Sequence, residues 1–286
     1  MRLASTPDGH LHAVVADELV DLTDPLGLRD AGPRGPLIAF LERGGTLADL
    51  RALDLEPLPR RPLAGTRLSA PIERPGKIVG APVNYIDHQV EMSEQRTIAT
   101  FGVFLKASSS VIGPGDAIRL PYSDMRTDQE GELAIVIGAT TSRVSADRAL
   151  DHVLGYAPVL DITVRSTEDR STRKSYDTFT PFGPWITTAD DVVDPDDLEL
   201  RCWVGGQLRQ QVRTGEMIFG VAQLVAYASH VMTLHPGDII ASGTPAGVGP
   251  IAAGDRVTVE IEGLGRLEVS VTDDGAIAYD NRPGAS

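Results

Sequence analysis

Alternating apolar and polar positions recur through the second half of the chain and predict paired strands. Residues 198–204 place Leu, Leu, Cys and Val at every second position, with charged or aromatic residues between them. A Gly-Gly pair then turns the chain into a second strand at 207–212. Residues 257–261 and 267–271 repeat the alternation on either side of another glycine-containing turn. Because short glycine turns join neighbouring strands, this pattern indicates antiparallel sheets.

Helical periodicity is confined to a few segments. Residues 146–154 follow the capping candidate Ser145, and residues 217–231 carry an apolar stripe that predicts a helix packed on the core. Residues 36–53 show a helical pattern broken by two glycines. The pattern therefore predicts an α+β fold that is mostly β.

The first part of the chain differs from the rest in its sequence pattern. Residues 1–23 predict a small hairpin, and with the helical pattern of 36–53 they make a small N-terminal α+β domain. Prolines punctuate residues 57–75, which is typical of an extended linker. We therefore divide the chain into a small N-terminal domain with its Pro-rich linker, residues 1–69, and a main domain, residues 70–286.

Composition and charge exclude several classes of function. The 286 residues are 42% hydrophobic and carry a formal charge of −14, with a pI near 4.8. This argues against binding to nucleic acid or to an anionic membrane surface, since both need a basic face. Cys202 is the only cysteine, and no apolar run has the length of a signal peptide or a membrane span. We expect a cytoplasmic protein.

Three carboxylates suggest a metal site. Glu130 and Glu132 are two residues apart at the start of an apolar strand, so their side chains share one face. Asp161 follows a second apolar run and is costly there without a partner. Oxygen-only ligands favour Mg²⁺, Mn²⁺ or Ca²⁺ over zinc. Either acid site alone could be a solvated strand end. Because carboxylates occur at the ends of both strands, a metal site is the favoured interpretation.

Other motifs supply candidate catalytic groups. His88 and Glu91 would face the same way on a helix, and such a pair suits a general base, although an incidental surface pair is the alternative. Lys174 begins a Pro/Gly-rich aromatic loop of the kind that lines pockets. Residues 237–249 run from a strand into a glycine-rich turn, where backbone N–H groups and the Thr244 hydroxyl could bind an oxyanion. A tight hairpin turn is the alternative. The remaining histidines, His10, His12, His152, His230 and His235, are interpreted as surface or packing residues.

These motifs, in this order, resemble the fumarylacetoacetate hydrolase family over roughly residues 77–271. The collinear series is Asn84-Tyr-x-Asp-His88, Phe104-Leu-Lys106, Glu130-x-Glu132-Leu, Asp161-x-Thr-x-Arg165, Lys174-x-x-Asp-Thr-Phe179, Gly183-Pro-Trp185, Met217-Ile-Phe219 and Gly243-Thr-Pro. The resemblance implies a β-roll or sandwich, usually homodimeric. It also implies that Mg²⁺ or Mn²⁺ is held by the residues that match Glu130, Glu132 and Asp161.

The resemblance further implies roles for the remaining candidates. His88 and Glu91 would lie on a short lid helix and activate water. Lys174 would act in catalysis and, with Arg165 and Thr244, bind substrate oxygens, and Lys106 is a further candidate contact. Glu168 stands where some relatives carry a glutamine that contacts substrate, and a carboxylate there would disfavour a second anionic group.

The implied activity is cleavage of a carbon–carbon bond in a β-diketo acid, such as an acylpyruvate or fumarylpyruvate-like compound, or in a related 1,3-dicarbonyl. The same site without a positioned water would make a decarboxylase of 2-oxo acids such as oxaloacetate, or a keto–enol isomerase. A non-catalytic ligand-binding protein on this fold is a third hypothesis. It would predict loss of the general base, whereas His88 and Glu91 are both present.

Overall fold

The computed structural model describes residues 1–284 and consists mostly of strands. In chain order the strands are β1 (Arg2–Ser5), β2 (Leu11–Val15), β3 (Glu18–Asp21), β4 (Arg60–Pro62), β5 (Ile78–Gly80), β6 (Phe104–Lys106), β7 (Val111–Ile112), β8 (Ala117–Arg119), β9 (Thr127–Gln129), β10 (Gly131–Ile137), β11 (Val153–Leu160), β12 (Thr163–Val164), β13 (Thr180–Pro181), β14 (Ile186–Thr188), β15 (Glu199–Val204), β16 (Gln207–Arg213), β17 (Ile239–Ala241), β18 (Gly249–Pro250), β19 (Arg256–Ile261) and β20 (Gly265–Thr272). The helices are α1 (Pro36–Glu42), α2 (Leu47–Arg51), α3 (Ile86–Glu91), α4 (Ile98–Phe101), α5 (Ala146–Ala149), α6 (Arg170–Arg173) and α7 (Val221–Val231). The expected α+β, mostly β, fold class is confirmed.

Two large sheets form the framework. The first has the order β4-β3-β2-β1-β14-β11-β10-β17-β5-β6, and the second has the order β16-β15-β19-β20-β8. The predicted antiparallel pairs are β15 with β16 and β19 with β20. Apolar side chains of β10 and β11 pack in one core with those of β15, β19 and β20, so the two sheets form a sandwich.

Strand β10 is buried on both faces, which explains the unbroken apolar sequence of its residues 133–137. Leu133 and Ile135 face the core between the two sheets. Ala134 and Val136 belong to a second core that includes Leu37 of α1. Successive residues of a strand point to opposite faces, so a strand covered on both sides needs apolar residues throughout.

The N-terminal strands continue the larger sheet. β1 pairs antiparallel with β14, with Arg2 opposite Thr187 and Leu3 opposite Ile186, and β14 pairs with β11. The apolar side chains of β1 and β2 share a core with β10 and β11. The sheet therefore runs across the expected boundary near residue 70, and the division into two domains stays a prediction.

The helices differ in length from the sequence pattern. Two glycines separate α1 from α2, as predicted. The helix predicted from residue 217 starts only at Val221, because Met217 has an extended backbone with φ −60° and ψ 139°. The helix predicted to reach residue 154 ends at Ala149, because Val153 already opens β11. Among residues 1–284, no helix has both the length and the apolarity needed to cross a membrane.

Candidate metal and substrate site

Strand pairing brings the three candidate metal ligands together. Glu130 lies between β9 and β10, Glu132 lies on β10, and Asp161 directly follows β11. The register of β10 and β11 fixes their approach, and the Asp161 amide donates a hydrogen bond to the Glu130 carbonyl at 2.9 Å. One carboxylate oxygen of each residue lies within 4.8 Å of the others. The three residues are 5%, 2% and 2% exposed, so their charges are removed from water.

Burial makes this cluster electrostatically strained. The pKa of Glu132 is raised well above its ordinary value, first by burial and then by the negative charge of Asp161. Burial also acts to raise the pKa of Glu130, but the cations of Lys174 and Arg165 outweigh it and hold that pKa low. One carboxylate of the cluster therefore lacks sufficient positive charge nearby.

The donor set fits a hard divalent cation. Within residues 1–284, the Glu132 carboxylate accepts a single hydrogen bond, from the Gly243 amide at 2.8 Å. The three residues together offer carboxylate oxygens only, which Mg²⁺, Mn²⁺ and Ca²⁺ prefer. A divalent ion would supply the positive charge that the strained carboxylate lacks.

Two buried lysines contact the cluster. Lys174 Nζ lies 2.7 Å from Glu130 Oε2 and 2.5 Å from Asp161 Oδ2. Burial acts to lower the pKa of Lys174, but these carboxylates outweigh it and raise the pKa, so the ammonium stays charged. Lys106 Nζ donates to Asp161 Oδ1 at 2.5 Å and to the Phe179 carbonyl at 2.8 Å. Lys106 does not line the cavity, so it is placed to orient Asp161 rather than to touch substrate.

Arg165 supports the cluster from its rim. Its Nε donates to Asp128 Oδ2 at 2.7 Å, and its Nη2 donates to Glu130 Oε1 at 2.8 Å. Arg126 binds the same Asp128 carboxylate. Arg165 also lines the cavity. It therefore orients Glu130 and can still meet a ligand.

The short helix α3 covers the carboxylates. His88 is buried on its inner face and lines the same cavity as Glu130, Glu132 and Asp161. Its Nδ1 lies 2.8 Å from Glu91 Oε2. A carboxylate accepts only, so we assign the proton to Nδ1, which leaves Nε2 free to accept one. This is the arrangement of a general base.

The glycine-rich turn holds α3 in place. The amide of Gly247 donates to Glu91 Oε1 at 2.9 Å, and the amide of Ala246 donates to Asp87 Oδ2 at 3.2 Å. Thr244 lines the cavity, and its hydroxyl donates to the Gly131 carbonyl at 3.0 Å. The turn thus connects α3 to β10, the strand that carries the candidate metal ligand Glu132.

A close backbone approach fixes the segment before the lid. Gly243 has φ +91°, and a Cβ there would lie 2.7 Å from Asn84 Cβ. Asn84 is fully buried, and its side chain donates to the Ser242 and Phe219 carbonyls at 2.8 and 2.9 Å. Asn84 therefore anchors the chain at the point where it enters α3.

Comparison with known proteins agrees with this geometry. The model for "Fumarylacetoacetate (FAA) hydrolase C-terminal" matches residues 77–272. The chain belongs to the fumarylacetoacetate hydrolase family. The match covers the candidate ligands, the lid helix and the glycine-rich turn.

Relatives within the family cover nearly the whole chain. A maleylpyruvate hydrolase of Aquipseudomonas alcaligenes is 40% identical over 287 residues, covering 95% of this chain and 99% of that protein. The crystal structure of a maleylpyruvate hydrolase from Sphingobium sp. SYK-6 is 41% identical, with a TM-score of 0.83 over 95% of this chain and 99% of the other. A structure described as that enzyme in complex with manganese(II) and pyruvate gives 39% identity and a TM-score of 0.81, covering 97% of this chain and 100% of the other.

The structure places Glu168 away from the cavity. Its carboxylate accepts hydrogen bonds from the Tyr279 hydroxyl at 2.8 Å and from Arg282 Nε at 3.2 Å, both near the C-terminus. Glu168 is not among the cavity-lining residues. Its expected contact with substrate is therefore not supported by the geometry, because the turn before α6 directs the side chain toward Tyr279.

Two arginines of α6 line the cavity that Glu168 does not reach. Arg170 and Arg173 lie there with His88 and the metal ligands. They are absent from the sequence-based set, although both precede Lys174 within four residues. The available signal was this concentration of cations in a chain with a formal charge of −14.

Proposed function

We propose that this protein is a Mg²⁺- or Mn²⁺-dependent hydrolase that cleaves a carbon–carbon bond in an acylpyruvate. The observation that carries the proposal is one cavity in which three buried carboxylates lie beneath the His88–Glu91 pair. The maleylpyruvate hydrolases described above support the same chemistry. The products would be pyruvate and a carboxylic acid.

The charges of the site suit such a substrate. The nearest cations, Lys106, Lys174 and Arg165, contact Glu130 and Asp161, and none of them donates a hydrogen bond to Glu132. A bound divalent ion would add two positive charges, which match the carboxylate and the enolate of an acylpyruvate. When bound, the ion would polarise the 2-oxo acid end and stabilise negative charge developing there.

The protein groups then perform the proton chemistry. His88 Nε2 takes a proton from water, and the water oxygen forms a bond to the acyl carbonyl carbon. The bond between that carbon and the adjacent CH₂ breaks, and its electron pair leaves with the pyruvate unit as an enolate. A proton returned to the CH₂ carbon completes pyruvate. Glu91 orients His88 and stabilises its protonated form.

Substrate entry requires movement of α3. The cavity between α3 and the carboxylates has a volume of about 50 Å³, whereas pockets that bind small molecules typically have about 300–1,000 Å³. His88 is the only residue of α3 that is buried, and Ile86 and Val90 are 66% and 76% exposed. A short helix with so few buried contacts opens at low cost, so α3 acts as a lid.

The same proposal includes the assembly and compartment. Family resemblance supports a homodimer, which sedimentation analysis would test. Burial raises the pKa of the Cys202 thiol to about 12, so it is unreactive, and no second cysteine is present to form a disulfide. This supports a cytoplasmic location.

Turnover of a substrate panel tests the proposal. Acetylpyruvate, maleylpyruvate and oxaloacetate are incubated with the Mn²⁺-loaded protein, and enol absorbance and products are followed. We expect the acylpyruvates to yield pyruvate and the matching acid. Release of CO₂ from oxaloacetate alone would favour the decarboxylase, and conversion without cleavage would favour the isomerase.

A variant of the base tests the mechanism. His88→Ala should lower kcat by about 10²- to 10⁴-fold while the Mn²⁺ affinity stays within about twofold. His230→Ala is the matched control, since His230 is exposed at the end of α7. Unchanged turnover in His88→Ala would remove this residue from the mechanism.

A further inference from the structure

Two arginines beside the candidate metal ligands are partly buried without an acidic or hydrogen-bonding partner in the part of the chain that the structure describes. Within residues 1–284, neither Arg170 nor Arg173 makes an ion pair or donates a side-chain hydrogen bond, and Arg173 Nε is completely buried. The other arginines of this part of the chain that lack such partners are all exposed; they are Arg2, Arg74, Arg119, Arg143 and Arg209. Withdrawing a guanidinium from water without a partner is costly, so this pair needs an explanation.

The neighbouring acids do not provide the missing partner. Asp169 accepts the Ser171 amide at 2.8 Å as the cap of α6. Glu94 holds Arg96 through two hydrogen bonds. Burial and the positive charge of Arg173 lower the pKa of Arg170. An anion between the two guanidinium groups would relieve both effects.

The arginines mark the direction in which a substrate can extend. Both line the cavity of the metal ligands, and Arg170 also lines a neighbouring cleft of about 450 Å³. Pro82 and Phe104 line both spaces as well. The Arg170 guanidinium lies 4.2 Å from the centre of the Phe101 ring, which holds it at this passage. A substrate whose 2-oxo acid end lies at the candidate metal site would therefore place its other end beside Arg170.

We propose that Arg170 and Arg173 bind a second carboxylate at the end of the substrate opposite the 2-oxo acid. A guanidinium presents paired N–H donors that match a carboxylate. The inference rests on the proposed function and narrows it to acylpyruvates with an acidic tail. The displacement of Glu168 toward Tyr279 agrees, since it removes a negative charge that would repel such a tail.

Paired substrates test this assignment. Maleylpyruvate has the terminal carboxylate and acetylpyruvate lacks it. In Arg170→Gln/Arg173→Gln, kcat/KM for maleylpyruvate should fall about 100-fold, whereas that for acetylpyruvate should change less than about threefold. Arg119→Gln is the control, because Arg119 is exposed and unpaired at the end of β8. An equal loss on both substrates, or none on maleylpyruvate, would overturn the proposal.

Binding without turnover separates this inference from the function. The Mn²⁺-loaded protein is titrated calorimetrically with maleate and with isocrotonate, a four-carbon acid that has one carboxylate. Wild type should prefer maleate by at least about tenfold, and the double variant should lose the preference. If wild type shows it but hydrolyses no acylpyruvate, the proposed function fails and the anion site stands. If maleate binding is unchanged in the variant, the anion site fails whatever the turnover. Single variants with unaltered Mn²⁺ affinity replace the double variant if it misfolds.

Discussion

Two groups of three potential metal ligands occur in residues 1–284, and only one of them has the electrostatics of a metal site. Glu130, Glu132 and Asp161 form the first, and His10, His12 and Asp21 form the second on the N-terminal hairpin. In each group the ligand atoms lie within 4.8 Å of one another. Distance alone therefore does not distinguish them.

The charges of the hairpin group are paired within the protein, although His12 Nδ1 is buried without a hydrogen-bond partner among residues 1–284. His10 Nδ1 lies 2.6 Å from Asp21 Oδ2, and the other Asp21 oxygen accepts the Thr23 amide at 2.8 Å. Arg61 Nη2 donates to His12 Nε2 at 2.9 Å. Burial and this guanidinium lower the pKa of His12, and the same positive charge opposes a metal cation.

The buried carboxylates lack this balance. Burial and neighbouring negative charge keep the pKa of Glu132 raised even with Lys174 beside the cluster. The buried carboxylates would attract a metal cation, whereas the positive charge of Arg61 would repel one at the hairpin group. The comparison shows that excess buried negative charge, more than the proximity of ligands, defines the candidate metal centre.

Removal of one ligand should have the largest effect. Glu130→Gln should weaken Mn²⁺ binding by at least about a thousandfold, beyond the 10- to 100-fold cost of changing groups that only support ligands. Chelation with EDTA should likewise abolish turnover. Calorimetric titration of wild type should give one Mn²⁺ per chain, and His12→Ala should keep that value. Two ions per chain in wild type, with one lost in His12→Ala, would show that the hairpin group also binds a metal ion.

Removal of a neighbouring cation should destabilise the protein more at the buried carboxylates than at the hairpin group. Lys174→Met leaves Glu130 and Asp161 without their shared ammonium, so the free energy of unfolding in EDTA should fall by about 3 kcal/mol. Saturating Mn²⁺ should recover much of this loss, because the ion replaces the missing charge. Arg61→Met at the half-exposed hairpin group should cost less than about 1 kcal/mol. Urea unfolding with and without Mn²⁺ measures both, and a Lys174→Met loss that Mn²⁺ leaves intact would contradict this account.

The proximity of the candidate ligands was predictable from sequence because it depends on local rules. Glu130 and Glu132 share a face through the two-residue period of a strand, and Asp161 ends the strand paired with it. His88 and Glu91 meet through the spacing of one helical turn. The fold class followed in the same way from alternation and glycine turns.

The remaining contacts depend on tertiary packing that no local rule gives. Lys106 reaches Asp161 only because β6 lies in the same large sheet, and Arg170 reaches the cavity only through the orientation of α6. Glu168 was a candidate substrate contact because of the family resemblance, but its carboxylate accepts a hydrogen bond from Tyr279, far away in sequence. Likewise, the pairing of β1 with β14 joins distant segments that have no shared sequence signal.

The smallest expected effect concerns the charge of the hairpin group. Burial acts to raise the pKa of Asp21, but hydrogen bonds from Thr23 and His10 outweigh it and lower the pKa below 3.8. Such a carboxylate stabilises the fold above the unfolded value of 3.8 and loses that contribution as the pH falls through its folded pKa. Asp21→Asn should therefore cost less than about 1 kcal/mol at neutral pH, and the difference from wild type should vanish as the pH falls through the folded pKa of Asp21. Urea unfolding across this range measures it. A Mn²⁺-dependent difference would instead assign metal binding to the hairpin, because a group balanced by its own partners has no charge for an added ion to relieve.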